Sequence, residues 1–177
     1  NYRNKVISTR FMPGSESGIG TSYPYLVKDL NPGDTILLDD GNLTLRVASK
    51  SPDAVACTVV DGGVLKTKKG MNMPGAKLSV ETITAKDRED LKFMIAQELD
   101  FVALSFVRRG EDLRELRQLI GPSPIRVVSK IEKPEAIDDL EAILAETDAV
   151  MIARGDLGVE MPIEKVPAIQ KHIITRC

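Results

Sequence analysis

The chain has 177 residues, 42% of them hydrophobic, enough apolar material to bury the core of one large domain or two small ones. Its 24 Lys and Arg residues are mixed with 26 Asp and Glu for a formal charge of −2, so there is no basic field to hold a nucleic acid backbone. No apolar stretch approaches the roughly 20 residues that span a bilayer, and no signal-peptide succession opens the chain, which excludes a membrane and makes the cytoplasm the default location.

From residue 1 to about 70 the pattern is short and β-type. Turn clusters at Asn31-Pro32-Gly33-Asp34, Asp39-Asp40-Gly41-Asn42, Ser51-Pro52-Asp53 and Asp61-Gly62-Gly63 separate runs such as Thr35-Ile36-Leu37-Leu38 and Leu43-Thr44-Leu45-Arg46-Val47. Strands at this spacing predict a small antiparallel barrel or sandwich. The Gly- and Ser-rich stretch 13–20 reads as a surface loop, since it matches neither the P-loop nor the dinucleotide pattern. Cys57 and Cys177 stand far apart without metal-like spacing and read as reduced thiols. The single histidine, His172, has no second His to make a metal site.

After Gly70 the period changes. Three apolar runs beginning at Phe101, Ile125 and Ala149 are spaced evenly, 24 residues from one start to the next, and amphipathic segments lie between them. Thr84 with Asp87 resembles a capping box opening a helix that buries Leu91, Met94, Ile95 and Leu99. Helical spacing then joins Leu113, Leu116 and Ile120, and next Ile137, Leu140 and Leu144. Pro162 stands as a first-turn proline before Ile163, Val166, Ile169 and Ile173. This βα repeat predicts an α/β fold: a parallel sheet covered by helices, and with so short and even a repeat, part of a (β/α)8 barrel. Three strands supply only a sector of eight. The chain opens on Asn1 and stops at Cys177 inside a helical pattern, so both ends are expected to be cut.

Reacting groups in parallel α/β architectures project from the C-terminal strand ends. Here the second strand ends Ser129-Lys130-Ile131-Glu132 and the third Arg154-Gly155-Asp156. Lys130 and Glu132 are two apart and point the same way. Two carboxylates on neighbouring strand ends, with a lysine beside them, suit a hard divalent cation that holds an anionic substrate. A structural salt bridge from Lys130 to Glu132 or Asp156 fits the same spacing, and the two readings stand level. Gly155 either admits a ligand to the backbone or serves a tight turn. The segment Lys66-Thr67-Lys68-Lys69-Gly70 either clamps a polyphosphate or is a solvated loop.

Together these residues resemble pyruvate kinase. The segment 125–137, Ile-Arg-Val-Val-Ser-Lys-Ile-Glu-Lys-Pro-Glu-Ala-Ile, matches that family's active-site signature, and Ala153-Arg154-Gly155-Asp156-Leu157-Gly158 matches its second characteristic segment. Lys69-Gly70-Met71-Asn72-Met73-Pro74-Gly75 resembles its domain junction, and Asp39-Asp40-Gly41 a turn of its lid.

The resemblance implies an internal fragment: residues 1–70 as most of the β-barrel-like lid (B) domain, and 71–177 as the middle of the TIM-type (β/α)8 barrel. It implies transfer of a phosphoryl group from phosphoenolpyruvate to ADP, giving pyruvate and ATP, the glycolytic reaction. Glu132 and Asp156 would bind Mg²⁺ or Mn²⁺, and Lys130 would be the catalytic lysine. Gly155, Asp156, Lys130, Ser105 and Phe106 would contact substrate. Lys69 and Asp40 would meet the nucleotide and its metal, and Arg154 would support the two carboxylates. The parent would use K⁺ and form a homotetramer.

The chain departs from that family in lacking the early barrel strands, with their phosphate-binding arginine and K⁺ ligands, and the later strand with the threonine linked to enolate protonation. Asn42 also stands where an apolar residue is usual. Mg²⁺-dependent pyruvate-enolate aldolases and citrate-lyase-like barrels share the Glu…Asp pattern, but they need neither a preceding β domain nor Lys130. A third reading is a non-catalytic structural fragment, and the chain alone is expected to be inactive.

Overall fold

Alternation of apolar and polar residues pairs the first region into one sheet. The computed structural model describes residues 4–10 and 12–177. The strands are β1 (Asn4–Ser8), β2 (Gly18–Gly20), β3 (Thr35–Leu38), β4 (Leu43–Lys50), β5 (Ala54–Asp61) and β6 (Met71–Asn72), with the short helix α1 (Leu26–Asp29) between β2 and β3. They lie in the order β2-β1-β5-β4-β3-β6, and all neighbours are antiparallel except β1 and β2. Leu43, Leu45 and Val47 of β4 turn inward with Ile36, Leu38, Val55 and Cys57, and Ile7, Leu26 and Leu30 close the same core. Burial pushes the Cys57 thiol up to about 11, which keeps it an inert packing group.

The stretch 13–20 is a loop only in its first part. Gly18–Gly20 form β2, because Gly18 carries no side chain where a Cβ would fall 2.7 Å from the Val6 carbonyl oxygen. The boundary between units also lies later than the change of period, falling between Val80 and Glu81. Residues 71–80 stay with the first unit: Leu38 pairs with Met71, Met73 is buried in its core, and Ser79 donates its N–H to Asp29 at 2.7 Å.

The second unit contains α2 (Ala85–Ala96), β7 (Phe101–Leu104), α3 (Gly110–Ile120), β8 (Arg126–Ile131), α4 (Glu135–Asp138), α5 (Leu140–Ala145), β9 (Ala149–Ile152), α6 (Arg154–Glu160), a 3₁₀ turn at Ile163–Lys165 and α7 (Val166–Arg176). The strands form a parallel sheet in the order β7-β8-β9. Val102, Leu104, Val127 and Ile131 pack into one core with Leu113, Leu116, Ile120, Leu140 and Ile143 of the crossover helices. The opposite strand face stays open, with Phe101 and Met151 each half exposed. Helices therefore cover one side of these strands.

Thr84 accepts the Asp87 N–H and Asp87 accepts the Thr84 N–H, the reciprocal cap expected at the start of α2. Leu91 is buried and Met94 and Ile95 partly so, whereas Leu99 lies past the helix end and is exposed. The single helix expected through Ile137 and Leu144 divides at Asp139, whose carboxylate accepts the Gly110 N–H at 2.8 Å. Pro162 precedes the 3₁₀ turn instead of opening α7. Pro167 takes the first-turn position there, and Ile163 is exposed. Among the described residues, no helix is long and apolar enough to cross a membrane.

Candidate active site

Strand register decides which polar groups meet. Leu104 of β7 pairs with Ser129 of β8, so Ser105 and Phe106 emerge beside Lys130 at the C-terminal end of the sheet. Lys130 Nζ donates to Ser105 Oγ at 3.1 Å and forms an ion pair with Glu132 Oε1. The other carboxylate oxygen of Glu132 accepts the Phe106 N–H at 2.9 Å. Phe106 reaches that position with φ at +56°, a backbone conformation that non-glycine residues rarely adopt. Glu132 is 2% exposed, so its charge is compensated by an ammonium group and an amide while water is excluded. This is the ion pair that the structural salt-bridge reading named.

The neighbouring strand end is more open. Ile131 pairs with Ile152, and the Ala153 N–H donates to the Ile131 carbonyl at 3.1 Å, which starts α6 directly beside Glu132. The third strand therefore stops before Arg154, and Arg154, Gly155 and Asp156 form the first helical turn. The first hydrogen bond within α6 runs from the Leu157 N–H to the Ala153 carbonyl, so the three preceding amides have no intrahelical acceptor. Asp156 is exposed, and a Cβ added to Gly155 would meet nothing within 4 Å. Arg154 is exposed and forms no ion pair with either acid among the described residues.

Among the described residues, no group of three or more His, Cys, Asp or Glu side chains could enclose a metal. The donor set at the ends of β8 and β9 is of another type: two carboxylates, Glu132 buried and fixed, Asp156 exposed. Mg²⁺ takes one or two carboxylates and completes its shell with water and substrate oxygens, so these residues fit it chemically.

Lys69 and Asp40 belong to the first unit. Asp39, Asp40 and Gly41 have φ values of +54°, +56° and +86° in the turn between β3 and β4, a run that Asp and Gly tolerate best. Asn42 closes that turn by donating its N–H to the Asp39 carbonyl at 3.1 Å, a local bond that an apolar side chain would also allow. Lys69 Nζ lies 2.7 Å from Asp39 Oδ1, not from Asp40. That contact holds the Lys69 ammonium above its usual range and the Asp39 carboxyl below its own. Asp40 remains exposed.

Sequence reasoning missed the pair Lys133–Glu160, whose side chains are 10% and 3% exposed. Its only sequence signal is charge at positions that burial would make costly, and burial is a tertiary property. A cavity of about 490 Å³ lies elsewhere, in the first unit, lined mainly by residues such as Ile7, Leu38, Leu43 and Leu45. It contains none of the candidate site residues, and among the described residues Glu16 is the one acid in its lining.

Residues 6–177 match the family model described as pyruvate kinase, barrel domain. The chain is 45% identical over 177 residues to a pyruvate kinase of Geobacillus stearothermophilus, covering 97% of this chain and 30% of that protein. It is 44% identical over 167 residues to one of Clostridium perfringens, covering 93% and 35%. A crystal structure of a pyruvate kinase from Cryptosporidium parvum superposes with a TM-score of 0.89 at 37% identity, over 99% of this chain and 38% of that one. The chain thus spans about a third of the length of the curated relatives it matches.

Proposed function

The chain belongs to the pyruvate kinase family, and from that premise we propose that the protein it represents transfers the phosphoryl group of phosphoenolpyruvate to ADP, yielding pyruvate and ATP in glycolysis. The reading is supported above all by one observation: Lys130 and Glu132 are ion-paired at the end of β8, beside the strand end that leads to Asp156. In this reading the parallel strands are a sector of a (β/α)8 barrel, and the first unit is a lid domain.

Glu132 and Asp156 would hold Mg²⁺ or Mn²⁺, which supplies positive charge at the substrate's carboxylate and enolate oxygens. Glu132 is already oriented by Lys130 and the Phe106 amide, so it needs no reorganisation to act as a ligand. Lys130 gives its charge to the bridging oxygen as the phosphorus–oxygen bond to the enol breaks and a terminal oxygen of ADP bonds to phosphorus. The amides of Gly155 and Asp156 point their dipoles at the substrate carboxylate, Ser105 keeps the Lys130 ammonium in place, and Phe106 walls the pocket. Arg154 balances the acids at longer range. Lys69 would exchange its contact with Asp39 for nucleotide phosphate, and Asp40 would face the nucleotide's metal. K⁺ dependence, a tetrameric assembly and a cytoplasmic location complete the proposal, and the K⁺ ligands would be supplied by other parts of the protein.

Since this chain covers about a third of its relatives, no turnover is expected from it alone. A coupled assay with phosphoenolpyruvate, ADP, Mg²⁺ and K⁺ tests this on the chain and on a full-length protein carrying these residues. In the full-length protein Glu132→Gln and Asp156→Asn should each raise the Mg²⁺ requirement severely. Lys130→Met should lower kcat far more than it raises KM. Normal metal titration in both carboxylate variants would refute the site.

A further inference from the structure

Asp156 has no partner of its own among the described residues, so its position depends on where α6 lies. That helix is only Arg154–Glu160, too short to be stable by itself. It is tied to β8 at its start through the bond from the Ala153 N–H to the Ile131 carbonyl, and its Leu157 is 0% exposed in the core. Its far end is tied by Glu160, whose carboxylate is ion-paired with Lys133, the residue immediately after Glu132. Asp156 and Glu160 are four residues apart and so share one helix face. One face of α6 thus carries an open acid and a buried acid, and the buried one is attached to the same strand end that holds the other candidate metal ligand.

We infer that the Lys133–Glu160 ion pair is a positioning device that sets the separation of Asp156 from Glu132 and thereby the affinity for a divalent cation. The inference rests on the metal-site reading proposed above. A buried ion pair adds little stability over apolar side chains of the same size, but it is exacting in geometry and costly to break on one side. Such a pair suits the fixing of a distance better than the strengthening of a core. Lys133 and Glu160 touch neither cation nor substrate and act only through Asp156, as outer partners orient ligands in other metal sites.

The test is a titration of the chain with Mn²⁺, followed by the electron paramagnetic resonance of the free ion, with far-UV circular dichroism of every variant. Glu160→Gln and Lys133→Met should each weaken Mn²⁺ binding about 10- to 100-fold. Lys133→Arg, which keeps the charge, should recover most of the loss. In an Asp156→Asn background, Glu160→Gln should add less than about twofold, because the helix then has no ligand to position. Binding unchanged in Glu160→Gln but lost in Glu132→Gln would overturn the inference and leave the metal site standing. Equal weakening by Glu160→Gln with and without Asp156 would also overturn it, since that marks a general structural role. Binding unchanged in Glu132→Gln would remove the metal-site reading itself.

Discussion

The two units use the same chemical pair, a lysine with a carboxylate, in opposite ways. In the first unit Lys69, just before β6, meets Asp39 of the β3–β4 turn, with side chains 38% and 17% exposed. In the second, Lys130–Glu132 and Lys133–Glu160 sit where parallel strands end under helices, with carboxylate side chains 3% exposed in both pairs. An exposed pair is screened by salt and can exchange its partner for a ligand at little cost. A buried pair cannot, because removing either member strands a charge away from water. The antiparallel sheet therefore offers a contact that can switch, and the parallel sheet a contact that holds its geometry.

The sharpest way to break this contrast is to delete the lysine from each kind of pair. Lys130→Met leaves the Glu132 carboxylate with the Phe106 amide alone and should destabilise the second unit by about 3 kcal/mol. Lys69→Met should leave the thermal transition of the first unit unmoved. Equal effects in calorimetry or residue-resolved hydrogen exchange would end the distinction.

A smaller effect separates the units in alkali. Tyr23 is pushed up to about 12, first by burial and then by its hydrogen bond to the Asp29 carboxylate. A raised folded-state pKa favours the neutral phenol, so this stability is full below about pH 10 and is lost as pH rises through about 12. All tyrosines lie in the first region. Tyr23→Phe should flatten the alkaline limb of that unit's pH–stability curve and remove the phenolate titration near pH 12.

Acid probes the second unit. Asp148 is held below the usual carboxylate range, first by the Val127 N–H at 2.7 Å and then, against the opposing effect of burial, by the Arg117 guanidinium at 3.0 Å. A depressed pKa contributes stability above about pH 4 that disappears as pH falls through the lower folded value. Asp148→Asn should make the second unit less sensitive to that fall, as followed by circular dichroism from pH 6 down to about 2.

The smallest change should come from the turn. Asp40→Gly relieves a left-handed residue but frees the unfolded chain, so stability should move by no more than about 1 kcal/mol in urea unfolding. Nucleotide affinity of the full-length protein should fall if Asp40 has its proposed role, while Asp39→Asn should release Lys69 without removing that carboxylate.

Much of the fold was legible because its signals are local. The turn clusters around Gly33 and Gly41, the capping box at Thr84, and the spacing of Leu113, Leu116 and Ile120 each act within a few residues, and the structure bears them out. The readings that failed depended on neighbours distant in sequence. Leu99 has helical spacing but no core to meet, the helix near Ile137 breaks where Asp139 serves Gly110, and residues 71–80 follow the first sheet despite the new period.

By itself, the sequence determined the kind of chemistry available: Lys130, Glu132 and Asp156 lie at the close of successive apolar runs, and alternation along a strand requires Lys130 and Glu132 to point one way. Tertiary structure alone decided how those charges are held. Only strand register could bring Ser105 and the Phe106 amide to that pair, and only the docking of α6 could bury Glu160 against Lys133. The physical reason is that periodicity is a property of one segment, whereas burial and hydrogen-bond satisfaction belong to segments that meet after folding.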